Sequence, residues 1–177
     1  GKSMTIASSY EKANPYFSRD YDEYSANCQR CVVAYEMRRR GYDVMAMPTY
    51  AGDMKPRVAF KGEDGTLTGR WMGAFRNAKA VPMKARSANQ AKDALNKHMQ
   101  SYGSGSRGVV EVFWKNGGGH VFNAENVSGK IRYYDAQTGK TVNINEYMSH
   151  AKPGSVNLIR TDNLRVSNRM REFVTQR

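Results

Sequence analysis

The sequence predicts an α+β fold in which a first helix packs on a sheet of antiparallel strands. Residues 27–41 read as a capped helix, and from residue 109 onward short apolar runs alternate with glycine-containing turns. The helix comes first and the strands follow as a meander, an order that belongs to α+β rather than to alternating βαβ units.

Residues 1–26 are polar and tyrosine-rich (Tyr10, Tyr16, Tyr21, Tyr24) and read as an irregular arm. Asn27, a preferred N-cap residue, opens the first helix. Cys31, Val32, Tyr35 and Met37 lean to an apolar side. Arg38, Arg39 and Arg40 load the C-terminal end, where cations suit the helix dipole, and Gly41 stops it. Residues 42–47 alternate up to Pro48, which suits a strand. Residues 49–70 read as a loop with a short hairpin around Glu63, Asp64 and Gly65, and residues 71–80 as one short helix burying Trp71 and Phe75. Ser87 is the N-cap candidate of a helix through Tyr102, with Ala91, Leu95 and Met99 at helical spacing. After a Gly/Ser linker at 103–108 come strands at 109–114, 120–127 and 130–135, turned by Gly117-Gly118-Gly119 and by Ser128-Gly129. A turn at 137–140, a short helix at 144–149, a last strand at 156–161 and a fraying basic helix from Asn163 complete the chain.

The 177 residues suffice for one domain with a real hydrophobic core. No apolar run reaches the roughly 18 residues of a membrane span, and the polar start lacks the apolar stretch of a signal peptide, so neither is expected. Cys28 and Cys31 are the whole thiol inventory, too few and too close for a disulfide scaffold, so the pair reads as reduced and intracellular where it acts. A formal net charge of +12 favours acidic partners. The basic residues are spread, with clusters at Arg38 to Arg40 and at Arg165, Arg169 and Arg171. A solvated basic face and a binding patch explain them equally. No helix-turn-helix, zinc finger or aromatic-basic RNA motif is present, so nucleic-acid binding, where it occurs, is expected to be non-specific.

Cysteine hydrolysis needs a thiolate, a base within hydrogen-bond reach and a group that orients the base. Cys28 directly follows the N-cap candidate, where unpaired N–H groups and the helix dipole favour a thiolate and offer donors to an oxyanion. Cys31 lies about one turn deeper among Val32, Val33 and Ala34 and suits a small core residue, so Cys28 is the candidate nucleophile. His98 and His150 read as exposed. His120 follows three glycines and begins an apolar strand, a corner from which it can project into a cleft as the base; a satisfied strand-end histidine is the other reading. Asp135 ends the next strand, and hairpin register puts the start of one strand beside the end of the other, the geometry of a base and its orienting acid. Turn chemistry alone also places Asp there. Asn27 is a candidate oxyanion donor, Gln137 supports the same cleft or caps its turn, and Gly118, Gly119 and Trp71 are candidates for the substrate cleft. No metal or cofactor is expected.

The run Asn27-Cys28-Gln29-Arg30-Cys31, with Tyr35-Glu36, Arg38-Arg39-Arg40-Gly41-Tyr42-Asp43-Val44, Ala46 and Pro48, resembles the opening of the papain-like fold toxin domains of bacterial polymorphic toxins. Gly119-His120-Val121-Phe122-Asn123 and Asp135-Ala136-Gln137-Thr138-Gly139 resemble that family's histidine and aspartate motifs, in the family's order. The resemblance covers about residues 14–140. It implies a papain-like cysteine hydrolase fold with an N-terminal catalytic helix, Cys28 as nucleophile, His120 as base and Asp135 as orienting acid. It further implies a peptidase, or alternatively a glutamine deamidase, acting on an intracellular target protein through an acyl-enzyme. Such a module is delivered as a C-terminal toxin into the cytoplasm of a target cell and held in check by an immunity protein. The charge adds the expectation of an acidic immunity protein and of an acidic or nucleic-acid-associated target. The expected organisation is an arm (1–26), a catalytic domain (27–161) and a basic tail (162–177).

Three other readings compete. Cys28-x-x-Cys31 has the spacing of a dithiol redox motif, but a polar arm rather than a strand precedes it. Two cysteines are half of a zinc site, with no second pair to complete it. A non-enzymatic basic binding module accounts for the charge and leaves the three motifs as coincidence.

Overall fold

The computed structural model describes residues 4–17, 27–48, 60–61, 67–68 and 70–176. Where an irregular arm was expected, helix α1 (Ile6–Lys12) forms. Thr5 caps it, its hydroxyl oxygen accepting from the Ser8 N–H at 3.1 Å, and Arg38 anchors it by donating to the Ser8 carbonyl and hydroxyl. Ile6 and Tyr10 also pack on the core, Tyr10 stacking on Tyr134 at 4.8 Å, but one short helix with two such contacts carries little apolar period for the sequence to show. Tyr21 and Tyr24 of the expected arm lie outside the described residues.

Helix α2 (Cys28–Arg39) is enclosed rather than one-sided: Gln29 and every residue from Cys31 to Arg38 are buried. Its C-terminal stop is built as the glycine predicts. Gly41 has φ 101°, a conformation that only glycine adopts without strain, and its N–H donates to the Arg38 carbonyl at 2.9 Å. Strand β1 (Val44–Ala46) follows. Strands β2 (Phe60–Lys61) and β3 (Leu67–Thr68) pair antiparallel, while the turn at Glu63 to Gly65 and most of the 49–70 loop lie outside the described residues. In place of a helix at 71–80 there is a single 3-10 turn at Arg70–Ala74. Trp71 and Phe75 are buried.

After β4 (Val81–Pro82), helix α3 (Ala88–Tyr102) begins at Ser87, whose hydroxyl oxygen accepts from the Gln90 N–H at 3.1 Å; Gln90 in turn accepts from the Arg86 N–H at 2.8 Å. Ala91, Leu95 and Met99 form its buried stripe. Losing such a cap costs about 1 kcal/mol, so Ser87→Ala is expected to lower urea-unfolding stability by that amount with an unchanged m-value.

Strands β5 (Arg107–Phe113), β6 (Gly119–Val127), β7 (Lys130–Asp135) and β8 (Lys140–Thr141) form a meander, followed by helix α4 (Ile144–His150) and strand β9 (Asn157–Arg160). The sheet order is β4-β9-β5-β6-β7-β8, antiparallel throughout. Both faces are covered. On β6, Val121 joins the core under α2, whereas Phe122 and Ala124 join the core under α3 and α4. Polar bonds also fasten α2 to its face: Tyr35 donates to Glu125 at 2.9 Å, and Asn123 donates to the Val32 carbonyl at 3.2 Å. The architecture is α+β.

The basic end was expected to fray as a helix after a last strand. Instead it forms a 3-10 turn (Asn168–Glu172) and a further strand, β10 (Val174–Gln176), paired antiparallel with β1. Met170, Phe173 and Val174 are buried there, so three apolar anchors in a basic run outweigh the charge around them. Among the described residues no helix is long and apolar enough to cross a membrane.

Candidate active site

The β6–β7 hairpin turns at Ser128-Gly129, with φ 53° and 91°, and its ladder runs from Val127↔Lys130 to Asn123↔Tyr134. There the two strands part. Counting one step on, Asp135 falls opposite Phe122, two residues from His120 and within diagonal reach. Strand β5 holds the free end of β6, with Val112 paired to His120 and Phe113 to Gly119. His120 and Asp135 meet across the opening, His120 Nε2 lying 2.7 Å from Asp135 Oδ2.

Asp135 is only 2 % exposed. Its Oδ2 also accepts the Tyr147 hydroxyl at 2.7 Å, and its Oδ1 accepts the Gln137 N–H at 3.1 Å. The Asp135 carbonyl closes the following turn by accepting the Gly139 N–H at 2.9 Å. Cys28, half-buried at the first position of α2, lies close enough to His120 to act on its ionisation. With Nε2 taken by Asp135, Nδ1 is the ring nitrogen left for it. The helix gives the backbone N–H groups of Cys28 and Gln29 no intrahelical acceptor.

Burial opposes charge on His120, but the Asp135 carboxylate and its hydrogen bond, with Cys28 adding, raise the imidazole from 6.5 to about 10. Burial likewise opposes charge on Asp135, yet His120 and the donors Tyr147 and Gln137 hold its carboxyl below the usual value. The stability contributed by His120 is therefore whole below pH 6.5 and lost as pH rises through about 10. That contributed by Asp135 is present above the usual 3.8 and lost as pH falls through its lower folded value. Unfolding free energies taken between about pH 6 and 10 are expected to decline, with a limiting slope of about 1.4 kcal/mol per pH unit from this group. Asp135→Asn is expected to flatten that decline; equal slopes in both proteins would contradict the assignment.

Other sequence candidates sit differently. Asn27 occupies the N-cap position but makes no cap bond. Its Nδ2 donates to Asn14 Oδ1 at 3.0 Å and to the Met47 carbonyl at 3.2 Å, and its Oδ1 accepts the Cys31 thiol at 3.4 Å. Both amide hydrogens of Asn27 are thus engaged in holding α2 to its neighbours. Trp71 is no cleft residue: it is 0 % exposed, its backbone N–H bound to Gln29 and its indole N–H to Glu111. Gly118 in the loop and Gly119 at the first position of β6 are both exposed beside His120. Gly117 and Gly118 supply that loop's left-handed conformations, φ 105° and 74°. The Gln137 backbone joins Asp135 to Asn14, and its side chain borders the site. Cys31 is buried, which raises its thiol well above the usual value, against a role in dithiol exchange. Cys28 and Cys31 are both free thiols. Among the described residues no group of three or more His, Cys, Asp or Glu side chains is placed to hold a metal ion.

A cleft of about 490 Å³ opens beside His120 and Asp135, walled by Trp114, Lys115, Asn116, Tyr147 and His150. Trp114 stacks on His120 at 6.0 Å. No sequence motif marks Trp114 or Tyr147. His150 is exposed, as its flanks suggest, yet stands at this cleft.

A family model described as papain fold toxin 1, glutamine deamidase, matches residues 26–140, a span that contains Cys28, His120 and Asp135. No curated protein and no solved structure matches the chain.

Proposed function

The chain belongs to the papain fold toxin 1, glutamine deamidase, family, and from that premise we propose that it deamidates glutamine side chains of a target protein. Cys28 is the nucleophile, His120 the general base and acid, and Asp135 the group that orients His120. The observation that carries the reading is the His120–Asp135 pair at 2.7 Å, with Cys28 at the start of α2 near enough to the same ring to act on its ionisation.

The Cys28 sulfur attacks the side-chain carbonyl carbon of glutamine, a C–S bond forms, and the carbonyl π electrons move to oxygen. The free N–H groups at the start of α2 are donors for that oxyanion. Collapse breaks the C–N bond while His120 delivers its proton to nitrogen, and ammonia leaves. His120, now neutral, takes a proton from water as the water oxygen attacks the thioester. The C–S bond breaks, glutamate is released, and the Cys28 thiolate faces a protonated His120 again.

A peptidase runs the same acyl chemistry on a backbone amide and stood first on sequence grounds; the family match puts deamidation ahead of it. Proteomics of cells expressing the protein, compared with Cys28→Ala, separates the two. A gain of about one dalton at glutamine, as –NH₂ becomes –OH, supports deamidation, and cleaved fragments support the peptidase. Neither change would sink both.

A toxin of this family acts on a target protein after delivery into a target cell and has a cognate immunity protein. With a net charge of +12 on this chain, the matching inhibitor surface is acidic and covers the cleft. Its association is expected to slow as salt is added; a salt-independent rate would rule out such steering.

A further inference from the structure

We propose that Tyr147 is a positioning residue of this site: its phenol clamps the Asp135 oxygen that binds His120, and so sets both the direction and the basicity of His120. The proposal rests on the amide-hydrolase reading above and extends it to a residue beyond the segment 26–140 that the family model matches.

Two donors converge on one oxygen. The Tyr147 hydroxyl donates to Asp135 Oδ2 at 2.7 Å, and His120 Nε2 lies 2.7 Å from the same atom. The Gln137 N–H occupies Oδ1 at 3.1 Å. With both oxygens held, the carboxylate cannot rotate without breaking a charge-assisted bond. The clamp is itself fixed. Asn143 caps α4 by accepting the Glu146 N–H at 3.3 Å, and buried Met148 anchors the helix. The Tyr147 ring stands edge-on to Phe122 at 5.1 Å, to Trp114 at 5.7 Å and to His120 at 6.3 Å.

A second donor on Oδ2 shares its negative charge and moderates the pull of Asp135 on the imidazolium. His120 is then a better proton donor to the leaving nitrogen than an unclamped pair would provide. The groups facing His120 are Asp135 from β7, Cys28 from α2 and Tyr147 from α4, with Lys115, Glu146 and His150 at the cleft wall; Cys31 faces Asp135 from α2. Burial and the Asp135 charge push the Tyr147 phenol up, so it remains a donor across the working range and its removal changes no net charge.

Tyr147→Phe keeps the ring and deletes only the hydroxyl. On a blocked glutaminyl peptide, with ammonia release as the readout, kcat is expected to fall about tenfold at unchanged KM. The His120 imidazole titration, followed by NMR, is expected to move up by about half a pH unit or more. A merely structural tyrosine would lower the melting temperature and leave the titration in place. That result, or a downward shift, would overturn the proposal. Tyr147→Leu, which loses ring and hydroxyl together, is expected to show the same upward titration with a larger loss of stability; an unmoved titration there overturns it equally. The titration needs no substrate. Absence of Cys28-dependent ammonia release by the wild type would sink the deamidase reading, while the upward titration would still establish the clamp.

Discussion

Cys28→Ala is expected to abolish amide hydrolysis and toxicity while leaving the fold in place. Removing the nucleophile of a cooperating triad typically costs on the order of 10⁶ in kcat. The structural cost is small by comparison. Cys28 is half-buried at the first turn of α2, where alanine is the best helix former, and α2 is held by residues that the substitution does not touch. The variant loses one of the two partners that raise the His120 imidazole, so its His120 titration is expected to fall below about 10. Alkylation gives an independent check. An iodoacetamide-type probe is expected to label Cys28 rapidly at neutral pH and to spare Cys31, which is buried. His120→Ala is expected to match Cys28→Ala. Asp135→Asn is expected to lose less, because the residue acts through the orientation of His120 rather than on substrate. A Cys28→Ala protein that is folded and still converts glutamine to glutamate would remove Cys28 from the mechanism.

The parts of this site written in local sequence are those that a short stretch of chain determines by itself. Ser128-Gly129 fixes a two-residue turn, the turn fixes the register, and the register leaves His120 and Asp135 within diagonal reach. Helix α3 is readable for the same reason, since Ser87 and the Ala91, Leu95, Met99 stripe lie on one short segment. What local sequence does not carry is the use made of a side chain by a distant one. Asn27 has the chemistry of an N-cap, but its Oδ1 accepts the Cys31 thiol and its amide hydrogens go to Asn14 and the Met47 carbonyl, so no cap bond forms. Trp71 looks like a cleft aromatic until Gln29 and Glu111 are seen to hold its two N–H groups inside the core. Tyr147 reaches Asp135 only because α4 folds back over the sheet, which no spacing announces. At the chain ends, α1 is fastened through Arg38 and β10 through its pairing with β1, both long-range contacts between elements of little individual propensity.

The largest loss of stability from a single side chain outside the site is expected at Glu36. It is fully buried on α2, and its carboxylate gathers three elements of the fold. Arg107 at the start of β5 donates to Oε2 at 2.7 Å and to Oε1 at 3.0 Å, Arg40 donates to Oε2 at 2.8 Å, and Thr161, just beyond β9, donates to Oε1 at 2.8 Å. The two arginine side chains are only 18 % and 15 % exposed. Glu36→Ala would strand two cations in low-dielectric surroundings, and breaking a buried pair in this way costs about 3–5 kcal/mol. Against a total stability of about 5–15 kcal/mol that is a large share. The contrast is Arg169–Glu172, where both side chains are more than half exposed. There Glu172→Ala is expected to change stability by less than about 0.5 kcal/mol. Urea unfolding of the two variants decides the matter, and added salt sharpens it. Screening weakens an exposed pair and leaves a buried one nearly untouched, so the Glu36→Ala deficit is expected to persist at high ionic strength. A deficit below about 1 kcal/mol, or one that salt erases, would mean that water solvates the arginines once the carboxylate is gone. The cluster would then order the junction of α2 with β5 and β9 without stabilising it.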